Sequence, residues 1–533
     1  MRTSVLIFSA PLLMALLCST NANAEARLTV HTDQTGPVIE RNVYGHFIEH
    51  LGRAIYDGIW VGEESDIPNT RGWRNDVVEA LKAIRVPVLR WPGGCFADTY
   101  HWRDGIGPRD QRPSRVNILW GEIQESNAVG THEYFDLVEQ LGAEAYVNGN
   151  LGTGTPREMA DWVEYMTSSS PYGLASERIA NGREKPFKLH HFGIGNESWG
   201  CGGGMSPEYY TSLYKHYSTF LRTPWTYPIQ TQWIASGGHG YGDDVNAGGM
   251  TEWTDYLTEN IEPDFLLGFN AVSFHYYTHP QGTALSEKKG PASGFPETQW
   301  ISTLARTLLM DGYLEANRKV LDRNDPDNSV AFYVDEWGSW YDPTPDTNPA
   351  FLEQATTLRD ALVTGLNFHI FHRHADRVTM TSPAQMVNVL QAPVITRGND
   401  MVLTPTYYAY KMHVPFQGAT RLDMQLKKVP KYSHAGQSIP ALSATAAVSE
   451  DHGVVIGLIN TDPHQSHTLR LNLTGSKSES EWLGEVLTAK TMDAYNTFSE
   501  PQVITPRTVD IDLQATNSVI TVPAKSMMVI RQK

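Results

Sequence analysis

Eight short apolar runs recur between about Asn42 and Thr404, each closing on glycine or a polar cluster, with segments of helical spacing between them. The runs are VYGHFIEH, VPVLRWPGG, EAYVNGNLG, HHFGIGNE, QTQWIASGG, AVSFHYY, VAFYVDEWG and LNFHIFHRH. In the intervening GWRNDVVEALKAIR and TPREMADWVEYMTS, apolar residues stand three and four apart, as in an amphipathic helix lying on a sheet. Parallel strands need such crossovers to reach their neighbours, so this succession restricts the chain to an α/β fold, a (β/α)8 TIM barrel.

After about Pro405 alternation replaces helical spacing. HTLRLNL sets Leu469, Leu471 and Leu473 on one face and Arg470 and Asn472 on the other, which predicts a jelly-roll-like β-sandwich over residues 406–533. ARLTVHT alternates in the same way ahead of the barrel. Residues 25–40 are therefore expected to add a strand to that sandwich, leaving 41–405 for the catalytic barrel. Residues 1–24 join one Arg, an apolar run from Val5 to Leu17 and the small residues Ala22-Asn23-Ala24. That is the pattern of a signal peptide cut after Ala24, so a secreted or periplasmic protein is expected.

A net charge of −17 without a basic run argues against nucleic acid and anionic membranes as partners, and favours neutral substrates. Beyond residue 24 the cysteines are Cys95 and Cys201, which excludes a disulfide-rich scaffold and a four-cysteine zinc site. The two either pair with each other or both stay free.

Strand ends converge on one mouth of a barrel. Here they carry Glu49-His50, Arg90, Asn148, Asn150, Asn196-Glu197, His239, His275 to Tyr277, Glu336-Trp337 and His372 to His374. Two carboxylates, Glu197 on the fourth run and Glu336 on the seventh, suit glycoside hydrolysis, in which one protonates the departing oxygen and the other attacks the anomeric carbon. Their surroundings must separate them. Glu197, after neutral Asn196 and near Trp199, suits the acid; Glu336 suits the nucleophile if Arg90 and Tyr277 reach it. The glycines of FGIGNESWGCGG free the backbone around Glu197 to turn sharply beside a ligand.

A metal-dependent hydrolase is the rival reading. His46 and His50, four apart on a strand, would stand roughly 13 Å from each other, too far to share an ion; His275 with His279 and His372 with His374 are the remaining pairs. No metal or other cofactor is expected. The Gly-x-Ser-x-Gly elbow of a serine hydrolase does not occur, and the presence of both carboxylates disfavours a merely sugar-binding barrel.

The motifs GHFIEHLGRAIYDGIWVGE, VLRWPGGCFADTYHWRDGIGP, ESNAVGTHEYF, FGIGNESWGCGG, SFHYYT, YVDEWGSWY and MVNVLQ follow one another in this order. In them the chain resembles the family 51 glycoside hydrolases, typified by α-L-arabinofuranosidases. The resemblance implies Glu197 as acid/base, Glu336 as nucleophile, and a retaining mechanism with carboxyl groups about 5 to 5.5 Å apart. It further implies that Glu49 and Gln391 hold sugar hydroxyls, that Asn196 holds the 2-hydroxyl, and that Arg90, His275 and Tyr277 surround the nucleophile. Cys95 would meet the hydroxymethyl end of the sugar, with Trp120 and Trp340 on the leaving-group side. The implied substrate is an arabinose-containing oligo- or polysaccharide such as arabinan or arabinoxylan, cut from its end by an enzyme that assembles as a trimer or hexamer. An endo-acting enzyme on β-linked glucan or xylan is the alternative on the same fold, and it would need an open cleft in place of a pocket around one furanose.

Overall fold

Strands His46–Phe47, Val88–Trp91, Glu144–Gly149, Leu189–Ile194, Gln232–Ala235, Ala271–Thr278, Ala331–Ser339 and Val378–Pro383 lie side by side and parallel, in chain order. The computed structural model describes residues 26–240, 250–261, 268–283, 285–475, 481–513 and 517–532; the segment read as a signal peptide lies outside them. Met386 N–H donates to Phe47 O at 2.9 Å, and the Thr381 hydroxyl donates to Val43 O at 2.6 Å, so the eighth strand returns to the first and the barrel is nearly closed. Val88, Tyr146, Ile234, Ala271, Tyr333 and Met380 form a separate buried cluster contributed by six of the strands, a packed layer inside the barrel.

The crossover helices form where spacing and caps require them. Helix Pro156–Thr167 begins with Thr155, whose hydroxyl accepts the N–H of Glu158, and with proline at its first position; Met159, Trp162, Val163 and Met166 make its buried face. One helix contradicts the sequence. LNFHIFHRH, read as the eighth strand, belongs to helix Leu358–Arg373, and the eighth strand is Val378–Pro383. That helix is buried on every side from Leu358 to His372, because it runs between the barrel and the strands that follow it. His372 joins the Tyr44 hydroxyl at 2.7 Å on one side and Thr445 Oγ1 at 2.9 Å on the other. A helix buried all round, its polar residues included, shows no 3.6-residue alternation of an apolar and a polar face and reads as a buried strand. His372 to His374 therefore stand away from the barrel mouth.

The chain after 420 is mostly strand. Ala26–Val38 joins it: nine strands form one sheet in the order Arg507–Ile511, Trp482–Leu487, Ser526–Gln532, Gly453–Asn460, Leu442–Ser449, Thr420–Lys427, Ala26–Val38, His467–Thr474, Ser518–Val522. The sheet curls until Ser518–Val522 approaches Gly453–Asn460, enclosing a second core with Leu28, Val30, Ile456, Leu469 and Ile530. Ala26–Val38 runs antiparallel to Thr420–Lys427 and parallel to His467–Thr474.

Candidate active site

Glu336 lies near the end of the seventh strand and Glu197 three residues past the fourth, and an oxygen of each carboxylate lies within 4.8 Å of the other. Two donors meet Glu336: Arg90 Nη1 at 2.8 Å on Oε1 and the Tyr277 hydroxyl at 2.9 Å on Oε2. Arg90 also donates to Asn196 Oδ1 at 2.5 Å, and Asn196 thereby joins the nucleophile side to the turn bearing Glu197. Strand alternation would send Asp335 and Glu336 to opposite faces. The register of the seventh strand instead shifts against both neighbours here, between Ser273 and His275 and between Val334 and Trp337. Such irregularities re-aim side chains beside active sites. Asp335 consequently shares its neighbours with Glu336: its carboxylate lies 3.2 Å from His275 Nε2 and 3.6 Å from Arg90 Nε, and it accepts from Tyr146 at 2.7 Å.

Glu197 has a left-handed backbone, φ 40°, two residues after Gly195 at φ 85°. This is the sharp turn for which the surrounding glycines leave room. His275 Nδ1 stands 2.8 Å from Glu197 Oε1 and 3.6 Å from Glu336 Oε2. Burial opposes a charge on His275, but Glu336, Asp335 and Glu197 together outweigh it and raise the imidazolium pKa to about 10. Burial raises the Glu197 carboxyl above the ordinary range, and the charge of Glu336 adds to the rise, against the hydrogen bond from His275.

Cys95 and Cys201 are joined in a disulfide, which settles the alternatives left open by the sequence. Cys201 Sγ lies 3.3 Å from Glu197 Oε2; a disulfide sulfur has no proton, so this is a contact and not a hydrogen bond. For the same reason Cys95 lines the pocket without a thiol to offer a sugar.

Glu49 accepts from the Phe96 N–H and from Trp120 Nε1, each at 3.0 Å, and Gln385 Nε2 approaches its other oxygen at 3.3 Å. Burial and then the charge of Glu336 push the Glu49 carboxyl up to about 8 against these donors. Gly94 passes between the two acids: a Cβ there would stand 2.9 Å from Glu49 Oε2 and 3.1 Å from Glu336 Oε1. Gln391 requires a correction. It is wholly buried behind the strand, accepting the Ser339 N–H at 2.7 Å and donating to Asp360 O and Thr364 Oγ1. Gln385, two residues past the eighth strand, lines the pocket in its place.

The cavity has a volume of about 510 Å³, within the usual range for small-molecule sites. Glu49, Trp120, Glu197, His275, Tyr277, Glu336 and Trp340 line it, with the rings of Trp199 and His239 in tilted contact, centroids 3.9 Å apart. Trp340 meets Tyr277 edge-on at 5.4 Å. Asn148 and Asn150 are buried outside this lining, and Asn150 braces its own loop by accepting from Thr153 and Gly154.

Among the described residues two clusters have the spacing of metal ligands, and neither has the chemistry. In Cys95, Glu197 and Cys201 the sulfurs are bound to each other; in Glu197, His275 and Glu336 both ring nitrogens of His275 already face carboxylates, Nδ1 that of Glu197 at 2.8 Å and Nε2 that of Asp335 at 3.2 Å, an arrangement that favours the imidazolium over a metal-binding lone pair. His50 is committed to Glu125 and Trp91, and His374 to Asp311. Three contributors escaped the sequence reading: Gln385, Asp335 and Asp98, the last binding the N–H groups of Leu151, Gly152 and Asn196. Asp98 and Asp335 are buried acids within quoted motifs, and nothing in their spacing marks them.

The family model of the α-L-arabinofuranosidase 1 domain matches residues 80–284, and that of the α-L-arabinofuranosidase C-terminal domain matches 335–526. A relative from Bacteroides ovatus, named intracellular exo-alpha-L-arabinofuranosidase, is 42% identical over 99% of this chain and 99% of its own. The GH51 arabinofuranosidase structure from Xanthomonas axonopodis pv. citri superposes with a TM-score of 0.90 at 44% identity, covering 96% of this chain and all of that one. The chain belongs to glycoside hydrolase family 51, the α-L-arabinofuranosidases. A family 51 enzyme from Thermotoga petrophila, at 28% identity and TM-score 0.82, covers the same 96% of this chain. A bifunctional glucanase-xylanase from a metagenome library, at 14% identity and TM-score 0.59, shares the fold alone. The expected export is overturned: the Bacteroides ovatus family 51 relative, aligned along nearly its whole length, is named as intracellular.

Proposed function

We propose that this family 51 glycosidase removes single terminal α-L-arabinofuranosyl residues from arabinose-containing glycans, of the arabinan or arabinoxylan type or their oligosaccharides, with Glu336 as nucleophile and Glu197 as acid/base. One observation carries the roles: two carboxylates within 4.8 Å of each other stand in unequal surroundings. Glu336 is met by a guanidinium and a phenol, the donors that suit an attacking anion. Burial and the charge of Glu336 shift the Glu197 carboxyl upward, the direction that suits an acid.

In the first step Glu336 attacks the anomeric carbon as Glu197 protonates the departing oxygen, giving a covalent arabinosyl-enzyme. Esterification removes the negative charge of Glu336, which adds to the effect of burial in raising the Glu197 pKa, so Glu197 becomes a better anion when it must act as base. His275, 2.8 Å away, then faces that anion with an N–H. Glu197 takes a proton from water, the water attacks the anomeric carbon, and Glu336 leaves with configuration retained. Asn196, held through its Oδ1 by Arg90, has its amide nitrogen 4.0 Å from Cys201 Sγ, a weak contact that the sugar's 2-hydroxyl would replace. Glu49 and Gln385 offer further hydroxyl partners beside Trp120.

Aryl arabinofuranosides test these roles. Glu336→Ala should abolish turnover of every substrate. Glu197→Ala should lose about 10² to 10⁴-fold on poor leaving groups and far less on activated ones; equal losses on both would remove Glu197 as the acid.

A further inference from the structure

Asp98 belongs to the 3-10 turn Cys95–Thr99 that follows the second barrel strand, is 2% exposed, and lies outside the pocket lining. Its Oδ1 accepts the N–H groups of Leu151 at 2.8 Å and Gly152 at 2.9 Å, past the third strand. Its Oδ2 accepts the N–H of Asn196 at 3.0 Å, past the fourth. Three backbone donors thus converge on one buried carboxylate from two loops, and its own loop is tied in as the Thr153 hydroxyl donates to Asp98 O at 2.9 Å. The segment after Glu197 folds back onto the same group: a Cβ on Gly202 would fall 2.7 Å from Asp98 Oδ2 and 1.8 Å from Asn196 O. The peptide that Asp98 grips joins Gly195 to Asn196, one residue ahead of Glu197, whose φ of 40° is costly for a residue other than glycine and needs its surroundings to hold it.

A carboxylate is the group this arrangement requires. Both oxygens face N–H donors, so an amide would turn an NH₂ toward at least one of them. Burial pushes the Asp98 carboxyl up to about 7, opposed by the bonds from Gly152, Leu151 and Asn196 and by the charge of Arg90.

We propose that Asp98 is a positioning residue for proton transfer: its carboxylate fixes the turn from which Glu197 reaches the leaving oxygen. The proposal rests on the reading of Glu197 as acid/base. Its signature is a loss that depends on the leaving group, since an aryl oxide that departs unaided does not need a well-aimed acid, whereas general disturbance of the pocket slows all substrates alike.

The experiment measures kcat/KM of Asp98→Asn, Gly202→Ala and Glu197→Ala on dinitrophenyl and phenyl α-L-arabinofuranosides, with thermal unfolding of each. Gly202→Ala presses on the same turn from its other side. The expected result for both turn variants is a loss of about ten-fold or more with the phenyl leaving group and less than about three-fold with dinitrophenyl. If Glu197→Ala shows no such selectivity, the acid assignment fails. If Glu197→Ala shows it and neither turn variant does, the role of Asp98 fails. Failure of both turn variants to fold would make the carboxylate a determinant of the fold, which also overturns the proposal.

Discussion

His275 presents Nδ1 to Glu197 Oε1 at 2.8 Å. Among the influences on Glu197, this hydrogen bond is the main one opposing the rise caused by burial. In His275→Gln the acid should hold its proton to higher pH, so the alkaline limb of kcat/KM for an aryl arabinofuranoside should move upward. The second step, which needs Glu197 as an anion, should slow at the same time. A limb that stays in place, or moves down, would show that His275 does not govern the charge of Glu197.

On its far side the same imidazole lies 3.2 Å from Asp335, which also pairs with Arg90 and Tyr146. The folded pKa of His275, about 10, lies above its unfolded value of about 6.5, so its contribution to stability is complete below about 6.5 and is lost as pH rises through about 10. Asp335→Asn leaves buried cations short of a partner and should cost about 3 to 5 kcal/mol. It should also bring the loss due to His275 to lower pH. Melting curves between neutral pH and about pH 10 should show the gap between variant and parent narrowing with pH, because the parent is still losing the stability of its charged imidazole after the variant has lost its smaller share; a constant gap would detach Asp335 from the charge of His275.

The two glutamines near the eighth strand should be told apart by KM. Gln385→Ala removes a pocket wall and a neighbour of Glu49 and strands the Glu49 N–H that donates to its Oε1 at 2.9 Å, so it should raise KM for a simple arabinofuranoside and also lower the melting temperature. Gln391→Ala strands the Ser339 N–H and its neighbours in a dry interior, at about 1 to 3 kcal/mol for each unsatisfied group, and should lower the melting temperature while sparing KM.

Gly94→Ala should place a methyl between Glu49 and Glu336, within 2.9 Å and 3.1 Å of their oxygens. A displacement of the reacting carboxylate by such a wedge should cost about 10²-fold in kcat/KM with the fold intact. A smaller loss on arabinofuranosides than in Gln385→Ala would mean the two acids have room to part.

The six middle strands were legible because each apolar run stops abruptly at glycine or a polar cluster, and Glu197 and Glu336 stood out as acids placed at such stops. Helix Leu358–Arg373 was illegible for the converse reason: burial on both sides removed the polar face that would have revealed its period. Asp335 was hidden by a register shift, because alternation along VDEWG turns it away from Glu336 and only the pairing of adjacent strands turns it back. Gln391 was misplaced through an offset of six residues in a segment that folds back at the rim; no periodicity distinguishes its amide from that of Gln385. Whether Cys95 and Cys201 meet depended on two loops 106 residues apart, which local pattern does not address.

Ala26–Val38 sits between Thr420–Lys427 and His467–Thr474, inside the sheet and not at its rim. During translation this stretch emerges from the ribosome before any of the barrel, yet neither flanking partner exists until almost the whole polypeptide has been made. A message truncated after the barrel would therefore yield a product with this strand bare along both edges, the form most apt to recruit other chains and aggregate.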